Sequence, residues 1–132
     1  DSQERKAAEI RAKMEQKRID TINAIDDQKR LASRLVEQMN ERIEATGYLM
    51  RYEYLPQPDL DYAGVIVVTV APIKSNRHPS TLNAKFRRSG GIDLVIKAIN
   101  VTDSDDYDPG DLTESWWDDM LKRLLEAEIG RE

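Results

Sequence analysis

The chain has 132 residues, enough for one domain with a real core, and it carries no cysteine and a single histidine, His78. Those two counts exclude disulfides, thiol nucleophiles, thiolate metal sites and any two-histidine relay. With 34% charged residues, 39% hydrophobic residues and a net charge of −5, it reads as a modest core with long solvated faces, and a dedicated nucleic-acid protein is not the first expectation.

No run approaches the length of a membrane span and no signal-like apolar segment opens the chain, so no membrane partner is expected. The expected location is cytoplasmic, although a leader removed ahead of Asp1 would leave no trace here.

Residues 3 to 46 contain neither proline nor glycine and are rich in Ala, Glu, Arg, Lys, Gln, Leu and Met, which predicts one long helix. Gly47 stands where a left-handed cap is wanted, and Asp26-Asp27 is the candidate point of breakage. Fully formed, the helix is on the order of 60 Å long, more than the width of such a domain, so part of it projects. Its halves differ. From Ile22 onward, Ile22, Ile25, Ala32, Val36, Met39 and Ile43 make a stripe wide enough to cover a sheet, with Leu31 and Leu35 beside them. Before Ile19 only Ile10, Met14 and small alanines interrupt the charges. No strict seven-residue repeat is sustained, so a regular left-handed coiled coil is not indicated. Residues 1–20 therefore read either as a solvated helix or as a segment paired with a second copy or another protein. Residues 21–132 read as a single domain.

Residues 48 to 55 alternate, with Tyr48, Met50, Tyr52 and Tyr54 on one face, and predict a first strand ended by Pro56-Gln57-Pro58. The tyrosine stripe is a core face by preference and a binding surface by exception. Gly64 to Ala71 is the one long uncharged β-branched run, so the strand Tyr62–Ala71 reads as the middle of a sheet covered on both sides. Leu82 to Arg88 can alternate as a strand with Lys85 and Arg87 outward. Ser89-Gly90-Gly91 turns it into a last strand over 92–101. Short connections make the sheet antiparallel.

Thr102 to Asp111 reads as an acidic loop. Its last residues, either Asp108-Pro109 or Asp111-x-x-Glu114 in capping-box spacing, start a closing helix from about Leu112 to Ile129. Trp117, Met120, Leu121 and Leu124 form that helix's apolar stripe, flanked by Trp116 and Leu125, with Glu126 and Glu128 off the stripe. The fold expected is α+β in two layers: long N-terminal helix, a three- or four-stranded antiparallel sheet, and a C-terminal helix.

Three surfaces are candidates for function. The basic hairpin 74–88, through Arg77, Lys85, Arg87 and Arg88, suits phosphate contacts, but its one aromatic, Phe86, turns inward and leaves no stacking platform. The bland reading of the same charges is a solvated edge strand protected from aggregation. The acidic loop places Asp103, Asp105, Asp111 and Glu114 at positions one, three, nine and twelve of a calcium loop. Tyr107 and Asp108 spoil the fifth and sixth positions, and a strand precedes it where a helix is needed. This loop and the basic hairpin carry opposite charge and could attract each other within one molecule or between two. Lastly, Ile10, Met14, Ile19, Val95 and Ile99 are apolar positions that two helices cannot all cover. They point to a non-enzymatic interaction or assembly module that self-associates or binds a protein through the helix, the sheet face or both, with sequence-independent nucleic-acid binding as the alternative. No cofactor is implied, and no residues stand out as catalytic.

Overall fold

The structure, a computed structural model, describes residues 2–74, 79–98 and 101–130, with Ala98 and residues 101–104 described by backbone alone. The first helix, α1 (Ser2–Ile43), runs unbroken through Asp26 and Asp27. It tightens into a 3-10 turn, Glu44–Thr46, and stops at Gly47, whose φ of 82° is the left-handed cap conformation that the sequence calls for there. Five strands follow in chain order: β1 (Tyr48–Pro56), β2 (Tyr62–Pro72), β3 (Ser80–Arg87), β4 (Ile92–Ala98) and β5 (Val101–Tyr107). They form one meander in the order β1-β2-β3-β4-β5, every neighbour antiparallel. The second helix, α2 (Glu114–Ile129), closes the described chain.

The α+β, helix–sheet–helix expectation therefore holds, but the sheet has five strands, where three or four were expected. The fifth is the segment that reads as an acidic loop. Its Asp and Ser residues are poor strand formers, yet Ala98 pairs with Val101 and the ladder continues to Ile92 opposite Tyr107, so backbone hydrogen bonding to β4 carries the segment into the sheet. Strand β4 is correspondingly shorter than 92–101. The basic segment β3 is the central strand and not an edge, and the charged edge is the acidic β5. Nor is β2 the middle of the sheet; it lies second, between β1 and β3.

Both helices pack on one face. The core gathers Ile25, Leu35, Val36 and Met39 of α1 and Trp117, Leu121 and Leu124 of α2 over Met50, Ile66, Val68, Leu82, Phe86 and Ile92. Tyr48 and Met50 are buried, and Tyr52 and Tyr54 are half-buried against the same cluster, so the tyrosine stripe is core. Among the described residues no helix lies on the opposite face. On it β2 presents Val65, Val67, Thr69 and Ala71, of which Val65 is buried in register between Leu55 and Lys85, while the other three are half-buried. The expectation that this strand is covered on both sides thus fails on the outer face. There, alternate polar neighbours such as Asn83 and Thr81 make the surface tolerable to water, as in many antiparallel sheets.

Four polar side chains lock the layers. Gln28, buried on α1, accepts from Trp117 Nε1–H at 2.6 Å and donates to the Leu112 carbonyl at 3.0 Å, so both helices share one side chain. Thr21 Oγ1 accepts from the Gly91 N–H at 2.8 Å, tying α1 to the β3–β4 turn. In that turn Gly90 has φ of 106°, and a Cβ on it would lie 2.9 Å from Lys17 Cγ and 3.1 Å from the Arg18 nitrogen, so glycine is what lets the turn meet the helix. Asn40 Nδ2 donates to the Met50 carbonyl at 2.8 Å and its Oδ1 accepts from the Met50 N–H at 2.9 Å, so one side chain occupies both backbone groups of Met50 on the edge strand β1. Glu128 is buried and not off the stripe, because its carboxylate accepts from the Ser80 N–H and Oγ–H at the start of β3.

The two proposed helix starts are divided between two elements. Asp108 caps the 3-10 turn Pro109–Asp111 reciprocally with Asp111. The cap of α2 is Thr113, whose hydroxyl accepts from the Trp116 N–H at 3.2 Å, not Asp111.

Candidate interaction surfaces

The first surface is the N-terminal arm. Every residue from Ser2 to Lys17 is exposed, and burial on α1 begins at Thr21. Ile10 is 58% exposed and Met14 61%, while Ile19 is borderline at 37%. At 100° per residue, Ala7, Ile10 and Met14 fall on the same side of the helix as Thr21, Ile25, Gln28, Ala32, Leu35 and Met39. The apolar stripe that faces the sheet inside the body therefore continues for two further turns where no sheet exists. Ile19 lies on another side and does not belong to it. The arm is held at its root by Lys17 Nζ to Asp108 Oδ1 at 3.1 Å, and a groove of about 560 Å³ opens there between Lys13, Gln16, Lys17 and the Pro109-Gly110 turn. Exposed ion pairs along the arm, such as Arg18 with Glu15, add little to the helix, because water screens them. The Glu15 carboxyl is held below its ordinary range by the hydrogen bonds from Arg18.

The second surface is the outer face of the sheet around β3. Arg87 is the hub. Its Nη1 donates to Asp93 Oδ1 at 2.9 Å, its Nη2 to Asp106 Oδ1 at 2.6 Å and its Nε to the Gly90 carbonyl at 3.0 Å. At 27% side-chain exposure this cation is committed to two carboxylates and is not offered to phosphate. The attraction expected between basic hairpin and acidic segment is thus realised within one chain, across β4. Asp93 also accepts from the Tyr62 hydroxyl at 3.0 Å; burial first, and then this hydrogen bond, push the Tyr62 phenol up. Lys85 lies over the Tyr62 ring, 5.3 Å from its centre. Arg88 is exposed, and among the described residues its side chain reaches the Asp59 carbonyl, at 3.5 Å. Val95 is half-buried on this face, opposite Asn83. Arg77, His78 and Ile99 lie outside the described residues.

The third surface is the corner between β5 and α2. Tyr107 and Trp116 are half-buried there, edge to face at 5.3 Å, and Trp116 meets Trp117 in the same way at 5.0 Å. The candidate calcium ligands are dispersed around it. Asp105 stands on an extended strand and accepts from the Tyr107 hydroxyl at 3.3 Å. Asp111 is engaged as a cap, and Glu114 pairs with Arg34 at 3.1 Å. The side chain of Asp103 is outside the described set. Among the described residues no three Asp, Glu or His side chains converge as a metal site would require.

What the sequence reading missed is Gln28, Asn40, Glu128 and the Tyr107–Trp116 pair. Gln28 and Glu128 carry a signal, since each falls on the buried side of its helix; nothing local marks Asn40. No family model matches this chain, and neither a curated protein nor a solved structure was found to match it. Among the described residues no helix is long and apolar enough to cross a membrane.

Proposed function

We propose that this chain is a non-enzymatic assembly module that self-associates through its projecting N-terminal helix. The observation that carries the reading is the stripe Ala7, Ile10, Met14, in phase with the core-facing side of α1 yet exposed. In proteins most of a helix's stability comes from packing of its apolar side, and on residues 2–14 that side has nothing of its own chain against it. The non-enzymatic part of the reading rests on the sequence, in which no residues stand out as catalytic. Nucleic-acid binding through the hairpin gains no support, since Arg87 is already neutralised by Asp93 and Asp106.

Sedimentation equilibrium between about 1 and 100 μM tests the proposal, a range spanning ordinary self-association constants. The expected result is a mass that rises with concentration above that of the 15.2-kDa chain. A single 15.2-kDa species throughout would overturn it.

A further inference from the structure

The arm's stripe is bordered by cations on both sides. At helical spacing Lys6, Lys13 and Lys17 run along one flank of Ile10 and Met14, and Arg11 and Arg18 along the other. Residues 2–18 hold six basic side chains against three acidic ones. Two such arms facing each other through their stripes would bring lysine against lysine if antiparallel and lysine against arginine if parallel. Like charges across a seam are the device by which helices reject a partner. The complement of the arm is therefore not another arm but an apolar surface bordered by carboxylates.

The body offers one. Residues 103–128 hold ten acidic side chains against two basic ones. At the corner between β5 and α2 two of these acids, Asp105 and Asp119, border the half-buried rings of Tyr107 and Trp116. Asp105 lies beside Tyr107, and Asp119 is exposed one turn along α2 from Trp116, on its own flank of that helix. Neither carboxylate has an ion pair among the described residues, whereas Asp108, on the same side of the molecule, already holds Lys17. The corner also lies on the free edge of β5, so nothing from the sheet covers it. The root of a chain's own arm meets Asp108, but its Ile10 and Met14 do not cover its own corner, being 58% and 61% exposed.

We propose that the basic arm of one copy docks on the Tyr107–Trp116 corner of a second copy, Ile10 and Met14 against the rings and Lys6 and Lys13 against Asp105 and Asp119. When each copy gives its arm and receives the other's, the exchange closes as a two-fold pair with no open end. The inference rests on the self-association proposed above and adds its receiving site.

The test uses the full chain in three forms: unchanged, with Lys6→Glu and Lys13→Glu on the arm, and with Asp105→Lys and Asp119→Lys at the corner. All four positions are exposed, and far-ultraviolet circular dichroism checks that each form stays folded. Sedimentation equilibrium of each doubly substituted form alone is expected to show association weakened about tenfold or more. An equimolar mixture of the two forms is expected to regain a pair, because each arm then meets a corner of opposite charge. A corner variant that associates as tightly as the unchanged chain, or a mixture that stays monomeric, overturns the corner as the receiving site. An unchanged chain that is itself monomeric overturns self-association too, so the two failures read differently.

Discussion

The two halves of α1 share one helix and one apolar phase, yet residues 21–43 are locked and residues 2–17 touch almost nothing. In the locked half the stripe is dense, with Ile25, Ala32, Leu35, Val36, Met39 and Ile43 all buried, and polar side chains punctuate it where they find partners: Thr21 on Gly91, Gln28 on Trp117, Asn40 on Met50. In the free half the stripe thins to Ala7, Ile10 and Met14, and cations border it closely. The contrast shows that a helix's face is specified by periodicity, while its partner is specified by how much apolar area that face carries and what lines it. The dense half suits a core; the sparse, basic half suits a surface contact with something acidic.

The largest effect expected from breaking this contrast is at Trp117, fully buried where both helices meet the sheet. Trp117→Ala is expected to cost about 3–5 kcal/mol in denaturant unfolding. A loss under about 1 kcal/mol would mean that the locked half is not held by this junction. Next comes Gln28→Leu, which preserves bulk but strands the Trp117 indole N–H and the Leu112 carbonyl. About 2 kcal/mol is expected, and a neutral result would show that water or a shifted side chain replaces the amide. Smallest is Ile10→Ala combined with Met14→Ala. At concentrations low enough for separate chains these changes move unfolding stability by less than about 0.5 kcal/mol, as for any exposed pair. At concentrations where chains associate, the same changes lower the melting temperature, because a partner that binds only the folded chain stabilises it by mass action.

Much of the fold was legible. The helix formers up to Thr46, Gly47 as the stop, the tyrosine alternation and the Trp117–Leu124 stripe each state their structure locally, because propensity and burial pattern agree there. Strand β5 was not legible, since the run Thr102-Asp103-Ser104-Asp105-Asp106 contains no apolar alternation, and the ladder with β4 decides its conformation. The placement of β3 was hidden for a related reason. Its cations look like edge protection until Asp93 and Asp106 are seen to flank Arg87, and a partner 19 residues away in sequence leaves no local mark. Of the candidate surfaces, Ile10 and Met14 were visible as sparse apolar positions. Their alignment with the core stripe is also written in the spacing, but it gains meaning only when burial is seen to begin at Thr21. The ring pair at the corner depends on a strand that the sequence conceals, and so it was concealed as well.

Asn40 imitates a neighbouring strand, presenting one amide to Met50 as the next peptide in a ladder would. The imitation covers a single residue, and it hangs from the last helical turns before Gly47. Fraying of those turns therefore bares the Met50 peptide groups on the edge of β1, one more position at which a passing chain could add to the meander, so the helix blunts that edge as well as roofing the core.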